Sequence, residues 1–229
     1  MDFIQDGFTQ AYTLLVNRDP ATYSAISATL RASSLAMAVS LLLGIPLGYI
    51  LGYFDFRLKK LFRIAVNTLL SLPTVFIGLV IYALLTRNGP LGEMGLLFTI
   101  PAIAIGQAIL SLPIIIALTA TAVETADRNL RITLMSLGAN YRQIAISTLW
   151  EVRLGILAAA VTATGRVLTE VGISLMVGGN IKWHTRTITT AIALETSKGE
   201  FGMGIALGLV LLLIALTVNV FLAGLRRRI

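Results

Sequence analysis

Five long stretches of this chain carry almost no charge, and nothing else in the sequence restricts its fold so severely. Residues 32–54 and 64–86 are uncharged runs of 23 residues each, 94–123 is a run of 30, and 201–225 a run of 25. Residues 154–181 make a fifth run of 28, interrupted only by Arg166 and Glu170. A helix rising 1.5 Å per residue crosses a hydrocarbon core of about 30 Å in about 20 residues. Every run is therefore long enough to span a bilayer. With 56% hydrophobic and 13% charged residues among 229, the chain lacks the polar surface of a water-soluble globule. The reading is an all-α polytopic membrane protein with five transmembrane helices, near 32–54, 64–86, 98–123, 154–178 and 203–225. Residues 20–229 then form a single transmembrane domain.

An N-terminal amphipathic helix, residues 1–19, precedes it. Ile4, Phe8, Ala11, Tyr12 and Leu15 share one helical face, while Asp2, Gln5, Asp6, Thr9 and Thr13 lie elsewhere. Such a helix lies along the membrane surface or against the bundle, and Asp19-Pro20 ends it. It has neither the basic start nor the small-residue cleavage site of a signal peptide, so it is expected to stay in the mature chain.

The net charge of +7 is spread over the ends of the apolar runs rather than gathered in a patch, which argues against a nucleic-acid partner. It reads instead as a topology signal. Arg57, Lys59, Lys60 and Arg63 follow the first run, Arg128, Arg131, Arg142 and Arg153 follow the third, and Arg226, Arg227 and Arg228 follow the fifth. The opposite side holds only Arg18, Arg31, Arg87, Lys182, Arg186 and Lys198. The N-terminus is thus expected outside and the C-terminus in the cytoplasm, which an odd number of spans permits.

Lipid tails give helices no hydrophobic reason to associate, so close backbone approach must hold the spans together. Gly44, Gly48 and Gly52 supply a four-residue spacing in the first span, and Gly204 and Gly208 repeat it in the fifth. Packing within the chain is the favoured reading of both, ahead of a dimer seam. Pro46, Pro73, Pro101 and Pro113 fall in or at the start of spans, where freed carbonyls need neighbours or a cavity.

Catalytic chemistry is hard to find. There is no cysteine, which excludes disulfides and thiolate sites, and His184 is the sole histidine, which excludes multi-histidine metal sites. No phosphate-cradling GxxxxGK[ST] loop occurs, and no nucleophile has a base at motif spacing. No catalytic residue, metal or cofactor is assigned to the chain. The sharpest feature is Arg166 with Glu170. Charges in a span are expensive and avoid lipid. At i, i+4 the two can neutralise each other. Either they form an ion pair pinning span four inside the bundle, or Arg166 faces a substrate path and attracts an anion.

The cytoplasmic stretch 127–153 is too long for a simple connection. It is helix-like on both sides of Leu137-Gly138-Ala139, and Gly138 suits the turn between two short helices. Leu134, Leu137, Ile144 and Leu149 give it apolar surface, with Arg128, Arg131 and Arg142 around it. It is either a helix pair resting on headgroups or a docking element for a cytoplasmic partner.

This stretch resembles the EAA loop of importer-type ABC permeases in its Leu-Gly-Ala core, although Ile132-Thr133-Leu134 stands where that family has Glu-Ala-Ala. Further resemblance, closest to the tungstate and molybdate permeases, lies in GIPLG (44–48), SLPTVFIGLVIYALL (71–85), QAILSLP (107–113), GRVLTEVGISLMVGGNI (165–181) and TRTITTAIALETSKGEFG (185–202). It runs over roughly residues 25–225.

The resemblance implies the permease subunit of an oxyanion importer of the cell membrane. It implies a homodimer of permease subunits, cytoplasmic ABC ATPase subunits that hydrolyse the ATP, and an extracytoplasmic oxyanion-binding protein. Leu134, Ser136, Leu137, Gly138 and Ala139 become the expected ATPase-coupling contact. Thr162, Thr164 and Ser174 are expected to line the path with Arg166. Within the class, molybdate, sulfate and phosphate compete with tungstate; outside it, a passive anion channel is the rival.

Overall fold

The structure is a computed structural model that describes residues 2–126 and 128–228, and at 2, 128, 129, 131 and 225–228 the backbone alone. Asp127 and the side chains of Arg128, Arg131, Arg226, Arg227 and Arg228 therefore lie outside the described residues. Eleven α-helices and no strand occur among those described: α1 (Asp2–Val16), α2 (Pro20–Tyr53), α3 (Lys59–Leu70), α4 (Thr74–Leu85), α5 (Ile100–Glu124), α6 (Arg128–Ser136), α7 (Tyr141–Glu151), α8 (Arg153–Leu168), α9 (Gly172–Gly178), α10 (Ile188–Ser197) and α11 (Phe201–Arg228). Three of them, α2, α5 and α11, are long and apolar enough to cross a membrane alone. Counting the bent pairs α3–α4 and α7–α8 as one span each gives five.

The first span begins well before residue 32. Asp19 accepts the Thr22 N–H at 2.8 Å and Pro20 occupies the first turn, so α2 starts there and runs 34 residues through Arg31. A charge marks the edge of the hydrocarbon, not the end of a helix. Pro46 in α2 and Pro113 in α5 sit inside uninterrupted helices.

Span two, expected as one helix over 64–86, is broken at Ser71-Leu72-Pro73, and α3 meets α4 at 97°. Pro73 lacks an N–H and disfavours helical dihedrals at Leu72, which is reason enough for a stop. Span four, expected over 154–178, is likewise two helices, since α8 ends at Leu168 and α9 starts at Gly172. Below it, α7 joins α8 through a 63° elbow at Val152.

A parallel pair, α2 with α5, forms the centre. Ser40 meets Ser111, and glycines 44, 48 and 52 face Ile115, Thr119 and Val123, each pair 71 positions apart. The seam is tight: a Cβ on Gly48 would stand 2.7 Å from Thr119 Cβ and 2.8 Å from the Ile116 carbonyl. Small residues also bring α8 onto α5, where a Cβ on Gly155 would lie 2.6 Å from that of Ala122. On the far side, Gly78 of α4 faces Ile173 and Met176 of α9, and Gly106 of α5 also receives Ile173.

Helix α1 packs on α11 by only part of the expected apolar face: Ala11 and Leu15 turn inward, with Leu14 beside them. Gly7 meets Ile205 and the Phe3 ring packs edge-on against Phe201, whereas Ile4, Phe8, Tyr12 and Val16 are exposed. In a bilayer the exposure of the others is reasonable, because close approach favours small residues and lipid accepts the large ones. The fifth-span glycines behave unequally. A Cβ on Gly204 would come 2.9 Å from Thr196 Oγ1, whereas one on Gly208 would meet nothing within 4 Å, so Gly208 is no seam within the chain.

Candidate functional site

The breaks in spans two and four lie side by side. A Cβ on Gly172, where α9 starts, would be 3.0 Å from Oγ1 of Thr74, where α4 starts, and 3.3 Å from Glu170 Oε1. Interrupted backbone inside a membrane needs its polar groups satisfied locally. The Glu170 carboxylate accepts the Ile173 N–H at 3.1 Å, and the Glu170 carbonyl accepts the Thr189 hydroxyl at 2.9 Å. Thr187 caps α10, and its hydroxyl hydrogen-bonds with that of Thr189 at 2.9 Å, while Thr29 of α2 accepts the Ile188 N–H at 2.9 Å. This buried threonine cluster escaped the sequence reading; its only sequence signal is the run TRTITT at 185–190.

Arg166 and Glu170 flank the break rather than sharing one continuous helix. Arg166 occupies the last turn of α8 and Glu170 stands one residue before the Val171 N-cap of α9, so each charge sits near the helix end that suits its sign. Their environments differ greatly. The Glu170 side chain is 2% exposed and that of Arg166 47%, with 3.8 Å between Arg166 Nη1 and Glu170 Oε2. Arg166 opens onto a cleft of about 500 Å³ lined by Leu70, Ile114, Leu118, Thr162, Gly165 and Thr169. Of the three hydroxyls expected beside Arg166, only Thr162 lines that cleft. Thr164 donates to the Ala160 carbonyl at 2.7 Å, and Ser174 is buried with its hydroxyl directed to the Glu170 carbonyl at 3.4 Å.

Between α5 and α8, helices α6 and α7 form an arm. Gly138 adopts φ +77 at its tip with open space around it. The Ala139 N–H bonds to the Leu134 carbonyl and the Gly138 N–H to that of Met135, both at 3.0 Å, which closes α6 with a left-handed glycine cap. Asn140 and Gln143 then form a reciprocal capping box that starts α7. Ser136, Leu137 and Gly138 are exposed at the tip, Leu134 and Ala139 partly buried. Leu137 is 78% and Tyr141 83% exposed, and Ile146 and Trp150 of α7 are exposed as well, while Ile132 and Met135 of α6 line the cleft beside the arm. Exposed large apolar residues gathered on one short helix pair suit an interaction surface.

The other side of the arm is anchored. Ile144 and Thr148 are buried, and Ala145 and Leu149 pack against Tyr49 of α2, Val123 of α5 and Val152. A cleft of about 750 Å³ separates the arm from the ends of α2, α3 and α5, with Tyr53, Lys59, Glu124, Leu130 and Met135 in its wall. Lys59 bridges Asp55 at 3.1 Å and Glu124 at 3.3 Å, and Arg63 also pairs with Glu124. These pairs tie the start of α3, which buries none of its residues, to the end of α5. Among the described residues, no three His, Cys, Asp or Glu side chains are placed to hold a metal ion.

Residues 44–229 match the family described as the binding-protein-dependent transport system inner membrane component. The tungstate uptake system permease protein TupB of Campylobacter jejuni is 48% identical over 227 residues, covering 99% of this chain and 95% of that one. The TupB of Peptoclostridium acidaminophilum is 41% identical over 226 residues, covering 99% of both. The crystal structure of an amino acid ABC transporter superimposes with a TM-score of 0.58 at 15% identity, over 94% of this chain and 97% of that one.

Proposed function

Since the chain belongs to the inner membrane components of binding-protein-dependent transport systems, we propose that it is the permease subunit of a tungstate importer in the cell membrane. It is a pore-forming subunit and not an enzyme; ATP hydrolysis belongs to a separate subunit. The observation that carries the substrate is the near full-length likeness to two tungstate permeases at 48% and 41% identity. Two copies form the pathway between them, and a binding protein delivers the oxyanion to the face opposite the arm. Exposed Thr162 and Arg166 support the pairing, because a charge avoids lipid and needs a protein partner or a watery path.

Energy enters at the arm. Ser136, Leu137 and Gly138 at its tip, held by Leu134 and Ala139, contact the ATPase. The rigid cap at Gly138 and the capping box behind it give a partner a fixed shape to grip. A motion of the arm reaches α8 through the elbow at Val152, and α8 carries Arg166 to the cleft.

The experiment is uptake of labelled tungstate by cells with and without this chain, in competition with molybdate and then sulfate. Loss of uptake on deletion, with sulfate failing to compete, is the expected result. Unchanged uptake in a strain with no second system would discard tungstate as the substrate. Gly138→Glu tests the docking element: ATPase association should be lost with membrane insertion intact, and normal assembly would remove the arm from that role.

A further inference from the structure

We propose, resting on that reading, that Arg166 is an exchangeable anion site and that Glu170 is the fixed counter-charge which makes it release. The two partners are held very differently. Glu170 is buried and anchored by the Ile173 N–H and, through its carbonyl, by Thr189. Arg166 is half exposed and has no described polar side-chain contact except Glu170, at the loose separation of 3.8 Å. A well-made arginine–carboxylate pair is bidentate and about 2.7–2.9 Å long. This one therefore leaves most guanidinium donors free to face the cleft.

That asymmetry has a chemical use. A tetrahedral oxyanion entering the cleft meets a guanidinium suited to bidentate oxygens, beside the Thr162 side chain. The anion and the Glu170 carboxylate compete for one cation, so occupancy weakens the internal pair and departure restores it. A carboxylate that cannot leave, on a guanidinium that can swing, turns a trap into a stepping stone. An isolated arginine in this apolar cleft would hold a dianion too firmly for rapid passage. The side chains are also separated by the α8–α9 break, so a change in its angle alters their distance and with it the anion affinity.

The test uses the permease with its ATPase in nanodiscs, without binding protein, and labelled tungstate as the probe. Wild type should bind weakly, R166Q should lose binding, and R166K should keep part of it. E170Q should bind roughly tenfold tighter, a shift of the size usual between coupled binding events. Its amide oxygen still accepts the Ile173 N–H, so the turn is kept and only the charge removed. In uptake driven by loaded binding protein, E170Q should lower both the half-saturating concentration and the maximal rate, a split that a weakened fold does not produce. Failure of E170Q to tighten binding, or wild-type binding and uptake by R166Q, would overturn the proposal. Should the wild-type complex import none of tungstate, molybdate or sulfate, the functional reading itself falls. Import of an oxyanion with E170Q unchanged would sink the exchange site alone.

Discussion

Two glycines of the same helical spacing have opposite surroundings, and substitution should separate them. Gly48 has Thr119 Cβ and the Ile116 carbonyl within 2.8 Å of where a Cβ would stand, whereas Gly208 has open space. Gly48→Ala should cost about 1–3 kcal/mol by overpacking, read as a lower thermal midpoint of the purified complex. Gly208→Ala should be neutral or stabilising by up to about 1 kcal/mol, the helix propensity gain. A destabilised complex in the second case would place Gly208 in a seam between copies. The sequence offers both as small residues four apart; which of them meets a neighbour depends on helix rotation, and spacing says nothing about that. Arg166 and Glu170 teach a related lesson. Their charges and spacing were legible, but not the break between them, because i, i+4 spacing was read on the assumption that the helix continues.

At the scale of the element, the arm was the most legible part. Gly138 between two helix-like segments was expected at a turn, and it adopts a left-handed backbone there. Asn140→Ala removes one half of the capping box and should cost α7 about 1 kcal/mol, seen as faster amide exchange in its first turn and weaker ATPase association. At the other end of the cleft, Glu124→Gln loses the partner of Lys59 and Arg63. The pairs are partly exposed, so the loss should be about 1 kcal/mol and should shrink at high salt, measured by thermal unfolding at two ionic strengths. Pro73 was legible as a possible interruption of span two, but the 97° angle there and the early start of α2 were not. Uncharged length reports how much chain can lie in hydrocarbon and carries no information on whether it lies there as one rod.

For the whole molecule, the run count and the helical class follow from composition and length alone, because a bilayer imposes them on any chain with so little charge. Orientation rests on the distribution of Lys and Arg and can be read directly, since the chain has no native cysteine. A membrane-impermeant maleimide should label K182C from outside and R142C only after permeabilisation. The reverse pattern would invert the topology. Reconstituted by itself, the chain should show no anion conductance, and steady current without the ATPase would favour a passive channel.

The glycine seam between α2 and α5 has a mechanical consequence. Sliding one helix past the other by a single residue, about 1.5 Å, would drive a backbone that already touches its neighbour into Thr119 or Ile116. Contacts this close resist sliding of α2 along α5. Bending is easier where the helical ladder is already open, at 71–73 and 169–171, and those two joints face one another. A chain built this way bends at one waist, and Arg166 and Glu170 sit on either side of it.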